Sequence, residues 1–597
     1  QEAADPPGGT DADPQSAPAK RRRRPKGAAV AGEQLTIELG PAVVDSPWRL
    51  PPVGILSRSD THDIDARAVE DRGQRLQEAL AAHGVDTRLV DMTVGPTVTR
   101  YALQLGDGVK VARVTSLHKD IAYALAATDV RILAPIPGQQ AIGIEVPNEE
   151  RVVVALGDIL TSAEAAKARH PLEAAIGRNI DGKPVMVWVH GGAYVLGSAS
   201  QPLYHGAALA TGGDVIVVTV NYRLGAFGFL ELPTLGADSE RFATNLGLRD
   251  VLAGLEWVRD NIAAFGGDPA KVTLFGESAG GGVVTTLLGS PAAAGLFSAA
   301  IAQSSPATSS YDTERARRVA ARFLEVLDLG TGDLDRLHEL PTQAVVEASR
   351  TVFDEVPVNT PGLLAFAPIV DGDVVPDYPI ATARRGMTHP VPLIIGTNKN
   401  EAALFRYMKS PLMPVTPERV KAMFAQIASE QPDVRLPSPA DLDGTYRGRG
   451  KVKGMGLSSD LGFRMPSIWF ADGHRAVAPV YLYRFDFATP FLKLVRLHAA
   501  HATELPFVWG NLGSGRKDPT FALGGRKAGQ QVSERLRARW TNFARHGRPD
   551  GLGGEPAWDP YDAERRATLV IDKTDAVIDD LDADVRRAWG DDVLSFR

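Results

Sequence analysis

A serine set among small residues, Gly276-Glu277-Ser278-Ala279-Gly280, follows the apolar run "KVTLF" and precedes the small-residue stretch "AGGGVVTTLLGS". G-x-S-x-G between a strand and a helix makes a sharp, strained turn that lifts the hydroxyl to the carboxyl edge of a sheet. The turn tolerates only small flanking residues. A serine hydroxyl is a poor nucleophile near neutral pH, so it needs a base within hydrogen-bond reach and a third group to orient that base. Acyl transfer also passes through an oxyanion, which needs backbone N–H donors aimed where charge develops. The loop His190-Gly191-Gly192-Ala193-Tyr194, directly after "VMVWV", is open enough to supply them. Alone, that loop would read equally well as a plain glycine turn; beside Ser278 it reads as part of a site.

The elements that must position these groups begin near residue 183. "PVMVWVHGG", "VIVVTVNYR", "VTLFGES", "AAIAQSS", "VPLIIGTNKNE" and "VYLYRFDF" are apolar, β-rich runs, most of them separated by helical stretches. Continuous apolar strands alternating with helices predict a mostly parallel sheet covered on both faces. With a serine turn of this type the partners follow in the order Ser, acid, His. Glu401 ends "VPLIIGTNKNE" and is the preferred acid; Asp371 and Asp373 in "VDGDVVPD" read better as a glycine-containing turn. The base falls in a later loop, at His501 in "HATELPFVWGN" or at His498 three residues before it. Glu277 reads as a buried, hydrogen-bonded structural carboxylate and His190 as a support for its loop.

Several longer stretches share one likeness. "NYRLGAFGFL" at 221–230, "TNLGLRDVLAGLEWVRDNIAAFGGDP" at 244–269, "GESAGG" at 276–281, G-x-x-x-x-E at Gly396–Glu401, H-x-x-E-L-P-F at His501–Phe507 and "WTNFARHGRPD" together resemble the type-B carboxylesterase/lipase family. The resemblance runs from about 183 to the C-terminus and implies an α/β-hydrolase fold and hydrolysis of carboxylic esters through an acyl-enzyme. It implies Ser278 as nucleophile, Glu401 as acid and His501 as base, the spacing to "ELPF" favouring His501 over His498. It further implies Gly192, Ala193 and Ala279 as oxyanion donors, with no cofactor. Members of that family begin with antiparallel strands, one reading roughly "EDCLYLNVW". None is recognisable upstream of "HGG", so the expected sheet lacks its N-terminal strands and bares an edge.

A different likeness occupies the preceding segment. "RAVEDRGQRLQEALAAHG" predicts a helix ending at Gly84, and "TRLVDMTVGPTVTRYALQLG" two strands around Gly95-Pro96. "SLHKDIAYALAA" predicts a helix capped by Ser116, and "VRILAPIPG" and "AIGIEVPN" two short strands about a Pro-Gly turn. "DMTVGPTVTRYALQL", "GVKVARVTSLHKDIAYALAATDVRILAPIPG" and "IGIEVPN" resemble the alpha subdomain of FtsK/SpoIIIE DNA translocases, and "HPLEAAIGRNIDGKPV" the start of their RecA-like motor. No G-x-x-x-x-G-K-[ST] occurs anywhere in the chain, so no phosphate cradle accompanies the likeness and no ATPase is expected. The organisation expected is a disordered basic, Pro-rich tail at 1–47, a small α+β FtsK-alpha-like domain at 48–148, a truncated motor start at 149–182 and an α/β-hydrolase domain at 183–597. The two truncated families join near 181–185.

Composition narrows the remaining classes. Over 597 residues the hydrophobic fraction is 44%, a globular value, and the net charge of −7 does not suit a dedicated nucleic-acid binder. The run Lys20-Arg21-Arg22-Arg23-Arg24-Pro25-Lys26 offers a DNA contact, although a solvated tail is the plainer reading. Zero cysteines exclude disulfides and thiol chemistry, and the scattered histidines carry no metal-ligand spacing. No apolar run is long enough to span a membrane, and a cytoplasmic location is expected. The expected partner is a small-molecule ester, with no membrane; nucleic acid is the lesser reading, through the Lys20–Lys26 run, and no feature sets an oligomeric state. Two readings compete with the esterase: a non-enzymatic DNA-associated module, and a hybrid that is inactive because its sheet is incomplete.

Overall fold

The computed structural model describes residues 66–596, apart from 96–97, 107, 128, 135, 137–140, 149–181, 447–450 and 514–518. The expected tail with its basic run, the Pro-Gly turn and nearly all of the expected motor start fall outside the described residues.

The first sheet has four antiparallel strands in the order β1-β2-β4-β3: β1 (Thr87–Val94), β2 (Val98–Leu105), β3 (Arg131–Leu133) and β4 (Ile142–Pro147). The helix Ala66–Ala82 buries Leu76 and Leu80 in a core shared with Tyr101, Leu103, Ile121 and Ile144. The chain turns away from that helix at Gly84, whose φ of +71° suits glycine, as expected from its sequence. One local expectation fails. The chain forms two short helices, Val111–Thr115 and His118–Ala124, and Ser116 ends the first instead of capping the second. Its hydroxyl donates back to the Arg113 carbonyl at 2.8 Å, which removes it from the N–H groups a cap would serve.

The second sheet has eight strands in the order β12-β11-β10-β9-β8-β7-β5-β6. These are β5 (Lys183–Val189), β6 (Ile216–Val220), β7 (Gly267–Glu277), β8 (Ala299–Gln303), β9 (Leu393–Asn398), β10 (Val480–Phe485), β11 (Thr568–Ile571) and β12 (Ala576–Ile578). All neighbours pair in parallel except β11 and β12. The continuous apolar runs are explained by cover on both faces. Val185, Val187 and Val189 enter one core, while Met186 and Trp188 between them enter the other. The first face is closed by the helices Leu246–Asn261 and Ala279–Leu287, the second by Leu505–Trp509 and Arg526–His546. Trp188 meets Trp509 edge-on at 5.3 Å.

β6 ends the sheet on one side, and among the described residues it pairs only with β5. All five of its residues are half-buried, whereas every residue of β8 and β9 is buried. Among the described residues β6 is thus an edge strand, the side on which the sequence led us to expect an open edge. The carboxyl ends of β5, β7, β8 and β9 converge on one rim, which is where ligand sites form in such sheets.

Candidate active site

Ser278 interrupts the passage from β7 into the helix Ala279–Leu287 with φ +56° and ψ −123°, a conformation costly for a residue with a Cβ. The small residues around it are required by packing. A Cβ on Gly276 would lie 2.6 Å from the Gly280 carbonyl carbon, and one on Gly280 would strike the carbonyl oxygen of Val189. The serine N–H is anchored to the Gln303 carbonyl at 2.9 Å, fixing the turn to the end of β8.

From Ser278 a chain of hydrogen bonds runs inward. The Ser278 Oγ lies 2.8 Å from His501 Nε2, and His501 Nδ1 lies 2.7 Å from Glu401 Oε2. Because a carboxylate only accepts, Nδ1 carries the hydrogen, leaving the Nε2 lone pair to accept from the serine hydroxyl. Glu401 is fully buried just after β9, and its other oxygen accepts from the Asn398 N–H at 2.7 Å and the Ser304 hydroxyl at 2.6 Å. The His501 loop is tied to β9 as well: Asn398 Nδ2 donates to the Ala500 carbonyl at 2.6 Å and also to Glu504. Gln303 Nε2 donates to Glu504 at 3.1 Å, and Trp540 Nε1 donates to Gln303 at 3.2 Å. Acid and base are thus held by the ends of two adjacent strands.

The expected oxyanion loop follows β5. Gly192 has φ +124° and Ala193 φ +53°, and a Cβ on Gly192 would run into the Leu196 carbonyl oxygen. Ala279 is the first residue of its helix, where backbone N–H groups have no partner within the helix. Gly192, Ala193, Ala279, Ser278 and His501 all line one cavity of about 830 Å³ with a largely apolar wall, while Glu401 lies behind it. His190 supports the loop, as expected: its ring stacks on Tyr222 at 4.6 Å, and Tyr222 donates to the His190 carbonyl at 2.8 Å. Burial lowers the His190 pKa, which favours the neutral ring.

The rejected alternatives lie elsewhere. His498 is exposed. Asp371 accepts from Thr244 and Asn245 at 2.9 and 2.8 Å, and Asp373 pairs with Arg249 at 2.6 Å.

Glu277 differs from its expected environment. It is 3% exposed, and its Oε1 sits 3.2 Å from His501 Nε2 with no hydrogen-bond donor. Burial pushes its carboxyl up to about 8, and burial likewise pushes Glu504 up to about 7. For His501, burial lowers the pKa, but the carboxylates of Glu277 and Glu401 outweigh it and carry the imidazole up to about 9. The carboxylates thus stabilise the imidazolium relative to the neutral ring. Sequence reasoning missed Ser304, Gln303 and Glu504. Their signal was polar residues directly after apolar strand "AAIA" and one residue before "LPF".

Such an arrangement can deprotonate a hydroxyl, attack a carbonyl and collect the resulting negative charge on backbone donors. Comparison with known proteins decides the class. Residues 170–589 match the model of the carboxylesterase family. The chain belongs to the carboxylesterase family. Residues 50–148 match the FtsK alpha domain, so a carboxylesterase here follows an FtsK-alpha-like segment. The para-nitrobenzyl esterase of Bacillus subtilis (strain 168) is 37% identical over 407 residues, covering 68% of this chain and 78% of the relative. Mouse carboxylesterase 1E is 33% identical, with 66% of this chain and 71% of the relative covered. Among solved structures, a PNB esterase matches with TM-score 0.60 at 35% identity over 70% of this chain and 83% of its own. The Geobacillus stearothermophilus carboxylesterase matches with TM-score 0.60 at 35% identity, over 69% and 83%. This carboxylesterase is therefore an α/β-hydrolase that acts on carboxylic esters of small molecules. Among its described residues no helix is long and apolar enough to cross a membrane.

Proposed function

We propose that the chain hydrolyses carboxylic esters through an acyl-enzyme on Ser278, with His501 as base and Glu401 as its orienting acid. The observation that carries this is the unbroken hydrogen-bonded line from Ser278 Oγ through His501 to buried Glu401, opening at the Ser278 end into the cavity.

His501 takes the Ser278 proton as Oγ bonds to the ester carbonyl carbon. The carbonyl oxygen becomes an oxyanion among the N–H groups of Gly192, Ala193 and Ala279. Collapse breaks the bond to the alkoxy group, which leaves with the proton from His501. Water then enters, gives its proton to His501 and attacks the acyl carbon; the proton returns to Ser278 as the carboxylic acid departs. Throughout, Glu401 holds the imidazole and stabilises its cation. The apolar lining favours uncharged esters, and the name para-nitrobenzyl esterase on a relative points to benzylic alcohol groups among them.

In this reading residues 183–597 form the catalytic domain and 48–148 an FtsK-alpha-like α+β domain, while the tail expected at 1–47 and nearly all of the truncated motor start expected at 149–182 lie outside the described residues. The cysteine-free composition fits a cytoplasmic protein. The test is hydrolysis of p-nitrophenyl butyrate by the full chain beside Ser278→Ala. Activity that falls to background in the variant supports the assignment. Equal activity in both would remove Ser278 from the mechanism.

A further inference from the structure

The segment Asp460–Arg464 is a π-helical turn inside an otherwise α-helical stretch. Such turns are uncommon and gather at functional sites. This one is bolted at both ends to the loop that carries Glu401. Ser459, just before it, accepts from the Ala402 N–H at 3.0 Å, and Arg464 at its end donates to the Lys399 carbonyl at 3.1 Å. Inside the turn buried Asp460 pairs with Arg464 at 2.8 Å and accepts from the Tyr446 hydroxyl. The residue the turn presents is Phe463. Its ring lies 4.5 Å from the His501 ring at an interplanar angle of 31°, closer and flatter than Phe405 at 5.2 Å and 40°. Phe463 is 4% exposed and lines the cavity.

We propose that Phe463 is a positioning residue for ester hydrolysis, its ring face restraining His501 and stabilising the imidazolium formed when Ser278 gives up its proton. An aromatic face attracts a cation and not the neutral ring, and the attraction grows when water is excluded. The contact therefore strengthens as the proton moves, which lowers the barrier more than it stabilises bound substrate. The extra residue of a π turn shifts the side-chain register, and that shift sets Phe463 against the base while the same turn clamps the acid's loop. The titratable groups around His501 are Glu277 at the end of β7, Glu401 after β9 and Glu504 on its own loop, and Asp460 and Arg464 on the turn neutralise each other. The inference rests on the Ser278–His501–Glu401 reading.

The test is p-nitrophenyl acetate hydrolysis by the full chain from about pH 5 to 10, across the ordinary histidine range, for Phe463→Leu, Phe463→Tyr and Ser278→Ala. Phe463→Met replaces the leucine variant if the latter unfolds. Loss of the ring should lower kcat roughly 5- to 30-fold, as a desolvated cation–π contact implies, with KM changed less than about threefold. It should also move the rising limb of the pH profile to lower pH, because the cation is no longer favoured. Phe463→Tyr should recover most of the loss. A change in KM alone, with kcat and the limb unmoved, would make Phe463 a mere pocket wall and overturn the proposal, as would a loss that tyrosine does not repair. Activity retained by Ser278→Ala would instead overturn the reading beneath it.

Discussion

The centre of the eight-stranded sheet and its β6 edge are built from the same kind of sequence, yet they do different work. β8 and β9 are buried along their whole length and lead directly into the turns that carry Ser304 and Glu401. "VIVVTV" is just as apolar, but β6 has a neighbour on one side only among the described residues, and its side chains are half-buried. The difference lies in what the chain supplies around each strand. The central strands are flanked by sheet on both sides and by helices on both faces, so groups at their ends are fixed in three dimensions. The edge has no such confinement, and none of the hydrogen bonds that hold Ser278, His501 and Glu401 comes from it. Among the described residues, Ser278, His501 and Glu401 are thus held without any contribution from β6.

The sharpest break of this comparison is Glu401→Gln, which keeps the shape and removes the charge that orients His501. It should cost about 10³- to 10⁴-fold in kcat with an unchanged melting profile. A loss under tenfold would mean the central strands do not set the base. Next is Gly192→Ala, where φ +124° and the Leu196 carbonyl leave no room for a methyl. Displacing the loop should lower kcat about 10²- to 10³-fold, read in the same assay with KM nearly constant.

A smaller effect is expected from Glu277→Gln. The Glu277 carboxylate raises the His501 pKa, and the working base must be neutral. Removing that charge lowers the His501 pKa, so the rising limb of kcat/KM against pH should move to lower pH, by up to about one unit. A limb that stays in place would show Glu277 already protonated in the working enzyme, in line with its own raised pKa. The smallest effect belongs to the edge. Thr219→Lys should leave kcat/KM unchanged and alter stability by about 1 kcal/mol or less, while a charge on an open edge reduces self-association in light scattering. Lost activity there would contradict the division between centre and edge.

Much of the site could be read from the sequence because its residues sit in short, chemically distinctive strings. Gly276–Gly280 marks the turn by its small residues, and Glu401 and His501 are marked by strand-end position and by the H-x-x-E-L-P-F string. Strands β5 to β10 were visible as apolar runs. β11 and β12, of four and three residues, were too short to stand out. Ser116 looked like a cap, but whether a serine serves the following helix or the preceding carbonyl depends on where the chain bends. The Phe463 turn left no trace in composition, because its π geometry depends on Ser459 and Arg464 gripping the Glu401 loop from far along the chain. The raised pKa of Glu277 was equally hidden, since it depends on burial and on the nearby carboxylates of Glu504 and Glu401, which come from far along the chain.

The central claim is that Ser278 carries the acyl group. The direct test is labelling of the full chain with one equivalent of a p-nitrophenyl phosphonate ester, followed by peptide mass spectrometry. The account predicts a single adduct on the peptide containing Ser278, stoichiometric with lost activity, absent in Ser278→Ala and strongly slowed in His501→Ala. An adduct on any other residue, or full activity in protein labelled at Ser278, would contradict it.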